Sequence, residues 1–149
     1  MIIEDSIHIN ESKDKIWPYM TDPEKILQWC ITFIKFEYTG EQRGGIGTTF
    51  YVEEKAAGPM PISKLDFQST EWIDNEVLSF TKISEGGPPK YIQEWKIEPE
   101  NSGSKFTFKE EIEMPFGFVG KIIESFAKGI SESSVKKMLS QLKNLVESG

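Results

Sequence analysis

KFTFKEEIEMPFGFVGKIIESFAKGISESSVKKMLSQLKNLVES, residues 105–148, changes rhythm part-way along. Its first ten residues alternate. Phe106, Phe108, Glu110 and Ile112 fall on one side, and Thr107, Lys109, Glu111 and Glu113 on the other. That is the period of a strand with one wet and one covered face. From Pro115 onward the apolar residues recur at intervals of three and four, as on one long helix. Upstream, the alternation extends back to about Ile46, broken only by turn residues. A run of strands followed by one long helix predicts an α+β domain, a curved antiparallel sheet closing around that helix. Such a sheet can enclose a hollow, so binding of a small molecule is the leading expectation.

Working back toward the N-terminus, Ile2 to Asn10 reads as a strand with Ile3, Ile7 and Ile9 on one face and His8 on the other. Ser12 is placed to cap a short helix, Lys13 to Met20, that Pro18 should kink or stop. Asp22, Pro23 and Glu24 signal a second short helix carrying Ile26, Leu27 and Trp29. Strands are expected at Ile31–Tyr38, Gly47–Lys55, Ile62–Ile73, Val77–Ser84, Tyr91–Ile97 and Lys105–Met114. Their separators are turn residues: Gly40 to Gly45, Gly58-Pro59-Met60-Pro61, Asp74-Asn75, Gly86-Gly87-Pro88-Pro89, and Glu100 to Gly103. The long helix carries two apolar stripes. Val119, Ile122, Ile123, Phe126 and Ile130 form one; Val135, Met138, Leu139, Leu142, Leu145 and Val146 form the other. At 100° per residue the stripes are offset by roughly 140°. A bend or a change of packing partner is expected at residues 129–134.

Composition narrows the function. The 149 residues suit a single domain, residues 1–149, with a real core. The net charge of -7 argues against nucleic acid, which demands clustered Lys and Arg. One Cys and one His leave no zinc cluster and no internal disulfide. The acidic start, Met1 to Asp5, does not read as a secretory signal, and no stretch is apolar enough to span a bilayer. A soluble, cytoplasmic chain is expected, with no cofactor, no metal and no stable membrane insertion. Gly44-Gly45-Ile46-Gly47 is not a phosphate cradle, because a strand follows it and no Lys-Ser/Thr stands behind it. Cys30 and His8 are a poor dyad, since His8 faces away.

The order of several short motifs resembles the START/polyketide cyclase-like superfamily, the SRPBCC or helix-grip proteins. The carriers are Ser12 with Asp14-Lys15-Ile16-Trp17, Asp22-Pro23-Glu24 with Leu27-Gln28-Trp29, and Gly45-Ile46-Gly47-Thr48. Thr70-Glu71-Trp72 leading into Asn75-Glu76-Val77-Leu78, and Leu142-Lys143-Asn144-Leu145, complete the set. The resemblance implies two small helices after the first strand, and a long C-terminal helix gripped by a seven-stranded sheet over an apolar cavity. It implies little about activity, because such proteins include lipid carriers, hormone receptors, cyclases and chaperone co-factors.

The inward face of the strands then supplies candidate ligand-binding residues: Phe36, Phe50, Val52, Phe67, Phe80, Tyr91, Gln93, Trp95, Phe106 and Phe108. Val119, Ile122, Ile123 and Phe126 are expected from the helix. Phe67 depends on the register, which a bulge can flip. Gln93 and Tyr91 are the polar members and need partners, from the protein, a water or a ligand's polar head. Glu71 and Glu110 are further inward candidates. The adjacent pairs Glu53-Glu54 and Glu110-Glu111 point to opposite faces, so neither makes a same-face carboxylate pair. Alternate connections of a meander share one end, which places Met60, Pro88, Phe116 and Phe118 on a cavity rim. No catalytic constellation is recognisable. The expected function is binding of a small hydrophobic or amphipathic molecule, lipid-, sterol- or polyketide-like. A cyclase or dehydratase acting on such a ligand, or a protein-interaction module, are the alternatives.

Overall fold

A computed structural model describes residues 1–56, 61–113 and 120–149, with side chains omitted at 120–122. The chain runs β1 (Ile2–Ile9), α1 (Lys13–Ile16), α2 (Pro18–Thr21), α3 (Pro23–Trp29), β2 (Phe33–Thr39) and β3 (Thr49–Glu54). It continues with β4 (Ser63–Ile73), β5 (Val77–Lys82), β6 (Lys90–Glu100), β7 (Gly103–Glu113) and α4 (Gly120–Ser148). Seven strands form one antiparallel sheet in the order β1-β7-β6-β5-β4-β3-β2. This is the helix-grip architecture: a curved sheet, short helices after the first strand, and one long C-terminal helix.

Local chemistry explains the joints. Pro18 splits the helix expected over Lys13–Met20 into α1 and α2, because it has no N–H to continue the ladder. Ser12 stands at the N-cap of α1, but its hydroxyl bonds the Asp14 side chain instead of a backbone N–H. Asp22 caps α3 by accepting from the Glu24 N–H at 3.0 Å. Asn75, at φ 63°, turns β4 into β5 in the left-handed region that Asn tolerates.

One hydrophobic core joins the sheet's concave face to the helices. Trp29 on α3 meets Trp95 at 5.0 Å and Phe106 at 5.5 Å between ring centroids, and its Nε1–H donates to the Tyr19 carbonyl at 2.7 Å. From α4 come Val135, Met138, Leu139, Leu142 and Val146, all buried. α4 is one unbroken helix through residues 129–134. What changes there is burial. The C-terminal stripe is covered, whereas Ile123, Phe126 and Ile130 are 44%, 74% and 47% exposed. On a straight helix two stripes roughly 140° apart cannot both face the sheet. Among the described residues, no helix is long and apolar enough to cross a membrane.

Candidate functional site

The ten strand residues expected to face inward are all buried, with Phe36 the most accessible at 5%. The irregularity in β4 lies between Ser69 and Glu71, beyond Phe67, so Phe67 keeps its inward register. The same irregularity carries Glu71 out to solvent, against its expected inward place. Inside, the rings touch one another. Phe50 lies 4.6 Å from Phe36, 5.6 Å from Phe67 and 5.0 Å from Phe80. Phe80 meets Trp95 at 5.1 Å, and Phe67 meets Tyr91 at 5.3 Å. Each such pair contributes about 0.5–1.5 kcal/mol beyond area burial, which favours a filled centre over a wide hollow. The aromatic set is therefore mostly core. It does not wall a large chamber.

Space remains at one end of this core, where β3 finishes, β6 begins and β7 finishes. A cavity of about 80 Å³ lies there. The sheet contributes Glu54, Tyr91, Gln93, Phe108, Glu110 and Ile112 to its wall, and α4 contributes Ile130, Ser131, Ser134, Val135 and Met138. Met1, Thr32 and Ala56 complete it. Ile130 borders the cavity and is half exposed, so the space opens to solvent beside it. Of the expected lining, Tyr91, Gln93 and Phe108 border this cavity. Phe36, Phe50, Val52, Phe67, Phe80, Trp95 and Phe106 lie in the packed core behind it. Ile123 and Phe126, expected in the lining, are exposed and do not border the cavity, because the C-terminal stripe of α4 takes the place against the sheet. Pro88 is half-buried in the β5–β6 connection and does not border the cavity. Val119, Met60, Phe116 and Phe118, and the side chain of Ile122, lie outside the described residues.

The polar side chains that the sheet brings to the cavity form one hydrogen-bonded chain with Thr32 and Trp95. Trp95 Nε1–H donates to Gln93 Oε1 at 3.0 Å. The Gln93 amide donates to Tyr91 Oη at 2.9 Å and to Glu110 Oε1 at 3.2 Å. Tyr91 Oη–H donates to Glu54 Oε1 at 2.7 Å, and Thr32 Oγ1–H donates to Glu54 Oε2 at 2.9 Å. Tyr91 sits on β6 and Glu54 on β3, with β5 and β4 between them in the sheet. Their contact measures how far the sheet curls.

Electrostatics follow from the enclosure. Glu54 and Glu110 keep some accessible surface, which is cavity wall, while protein surrounds their carboxyl groups. Loss of water, then the charge of Glu110, pushes the Glu54 carboxyl up to about 7, against the opposing bonds from Tyr91 and Thr32. Burial raises Glu110 as well, and Tyr91 is held well above its ordinary value by burial and by both carboxylates. Burial and the same two carboxylates push the nearby Cys30 thiol up, away from the nucleophilic thiolate. His8 bonds Glu100 at 2.8 Å and Asn10 at 3.0 Å, so it forms no dyad with Cys30. Among the described residues, no group of three or more His, Cys, Asp or Glu gathers as a metal would require.

The fold and this site can be set beside known proteins. The family described as polyketide cyclase/dehydrase and lipid transport matches residues 1–147. The chain belongs to it. No curated protein matches. Among solved structures, TTHA0849 from Thermus thermophilus superposes with a TM-score of 0.81 at 17% identity, covering 99% of this chain and 98% of that one. MLL2253 from Mesorhizobium loti gives 0.71 at 16% identity, with 99% and 98% covered. The Zhui aromatase/cyclase from Streptomyces sp. R1128 gives 0.74 at 13% identity, with 99% and 93% covered. At these identities the likeness is one of fold.

In this member of the polyketide cyclase/dehydrase and lipid transport family, sequence reasoning missed Glu54 and Thr32 in the polar chain, and on the wall Met1, Ala56, Ile112 and the α4 residues Ile130, Ser131, Ser134, Val135 and Met138. A signal for Glu54 was present. Phe50, Val52 and Glu54 share one parity on β3, as Phe106, Phe108 and Glu110 do on β7. Extending each inward series by one step places a carboxylate at the same end of both strands. Adjacent carboxylates along a strand cannot pair, but two from different strands of a curled sheet can face one space.

Proposed function

We propose that this protein binds a small amphipathic molecule at the open end of its core, with the polar group against Glu54, Tyr91, Gln93 and Glu110. The observation that carries this reading is the cavity itself. A four-residue hydrogen-bonded chain borders it beside Phe108 and Ile112 on the sheet wall, and α4 adds Ile130, Val135 and Met138 to its apolar lining. A drug-sized ligand occupies about 300 Å³ or more. The 80 Å³ enclosed here holds a polar head and the first carbons of a chain, and the remainder leaves past Ile130. Family membership supports the class of ligand and not its identity.

The test uses 1-octanol as probe, and the Trp95 indole N–H signal, bonded to Gln93, as reporter. Titration should shift that signal saturably. Ser134→Leu fills the cavity from α4 without touching the polar chain, and should weaken binding at least tenfold with an unchanged circular dichroism spectrum. Equal affinity in the folded variant would remove this site from consideration.

A second reading is favoured by one observation, the Glu54 carboxyl held at about 7 beside open space. A general base works best with its pKa near the working pH. In this reading Glu54 removes a proton from the carbon next to a bound ligand's carbonyl and returns it, leaving the ligand unchanged overall. With 2-octanone in D2O, proton exchange at C1 and C3 should be accelerated by the protein and lost in Glu54→Gln. Exchange at the buffer rate with both proteins would leave the binding reading alone.

A further inference from the structure

We propose that the cavity selects a ligand whose polar end donates hydrogen bonds and carries no negative charge, a protonated amine ahead of an alcohol, and rejects a carboxylate. This rests on the binding reading above and names the chemistry of the ligand's head.

The inference comes from the hydrogen-bonding capacity left over in the polar chain. Every donor in it is already engaged inside the protein. Both amide hydrogens of Gln93 are taken, by Tyr91 and by Glu110. The hydroxyls of Tyr91 and Thr32 both point to Glu54, and the Trp95 N–H points to Gln93. Acceptor capacity is in surplus. Two carboxylates offer about eight lone-pair positions, and a carboxylate donates nothing when ionised. Among the described residues, Tyr91 and Thr32 bond Glu54, and Gln93 and Tyr91 bond Glu110, which leaves several of those positions open. A ligand that only accepts would meet no free donor in this chain. One that donates would complete it.

Charge points the same way. Among the described residues, the cavity wall holds two acidic side chains and no Lys or Arg. The Met1 amino group, whose residue borders the cavity, is directed to the Ile112 carbonyl at 3.0 Å and to Glu124 at 3.1 Å. A ligand carboxylate brought against Glu54 and Glu110 would be desolvated beside like charge, an arrangement that is strongly unfavourable without a paired cation. An ammonium would instead find charge-assisted acceptors, the stronger class of hydrogen bond. Ser131 and Ser134 on α4 also border the space, and their hydroxyl oxygens can accept from such a head, while as neutral donors they offer an anion no balancing charge.

The test is a matched series on one alkyl chain: octylamine, 1-octanol and octanoate at pH 8, followed through the Trp95 indole signal. At this pH the amine is protonated and the acid ionised. Octylamine should bind at least tenfold tighter than octanol, and octanoate should not saturate. Glu110→Gln should cut octylamine affinity tenfold or more and move octanol by less than threefold. Octanoate binding as tightly as octylamine would overturn the inference and leave the binding reading standing. An unchanged amine affinity in Glu110→Gln would also overturn it, because the amine would then be held only by the acidic surface. If none of the three shifts Trp95 saturably, the binding reading falls and takes this inference with it.

Discussion

Glu54 holds the clearest conflict in the molecule between folding and charge. Its carboxyl moves from 4.5 to about 7 on folding, chiefly because burial disfavours the ionised form. Well below 4.5 both states keep the proton, and its contribution to stability is fully present. As the pH climbs toward 7 the unfolded chain releases the proton while the native chain retains it, so stability falls; above about 7 the loss is complete. A difference of ~2.5 pH units corresponds to about 3 kcal/mol. Glu54→Gln removes the ionisation and keeps the shape. In urea denaturation the variant should therefore gain about 2–3 kcal/mol on wild type between pH 4 and pH 8. A constant difference across that range would show that the carboxyl ionises as freely as in the unfolded chain. The cost is retained for a carboxyl at a cavity, and that is how a binding or acid–base site differs from ordinary packing.

Among the elements, α4 and β4 show what alternation and periodicity reveal and where they stop. The two stripes of α4 and their offset could be read directly from the spacing of its apolar residues. Which stripe would meet the sheet could not, because both are equally apolar. The structure buries Val135, Met138, Leu139, Leu142 and Val146 and leaves Ile123, Phe126 and Ile130 outward. Two substitutions separate the stripes. Leu142→Ala removes a fully buried side chain and should cost about 2–5 kcal/mol. Phe126→Glu, at a position 74% exposed, should change the unfolding free energy by less than about 0.5 kcal/mol. A large loss from Phe126→Glu would mean that the first half of α4 packs inward after all. β4 has the opposite character. Its alternation correctly placed Phe67, but the shift between Ser69 and Glu71 could not be seen in the residues, and it reversed the expected side of Glu71.

At the scale of the whole molecule, the succession of strands along the chain, the short helices after β1 (expected as two, with the first split at Pro18) and the long helix were legible because each rests on local patterns: turn residues, caps and periods of two and 3.6. The degree of curl was not. Curl decides which residues from distant strands share a space, so Tyr91 reaching Glu54 across β5 and β4 emerged only with the coordinates. For the same reason the expected aromatic hollow became a packed core with a small polar cavity at one end. Ring volume and sheet radius must be known together before a cavity can be told from a filled one.

Pairing of β1 with β7, Ile2 opposite Glu111 and Ile9 opposite Ser104, bears on how the chain is made. β1 must wait for its neighbour, since β7 has to be synthesised before that edge can close. Until then β1 offers unsatisfied backbone groups that any other strand could take. Contacts this distant along the chain also slow folding, because loop closure must precede their gain. The edge of β7 that β1 covers therefore stays open until these two distant segments of the chain meet.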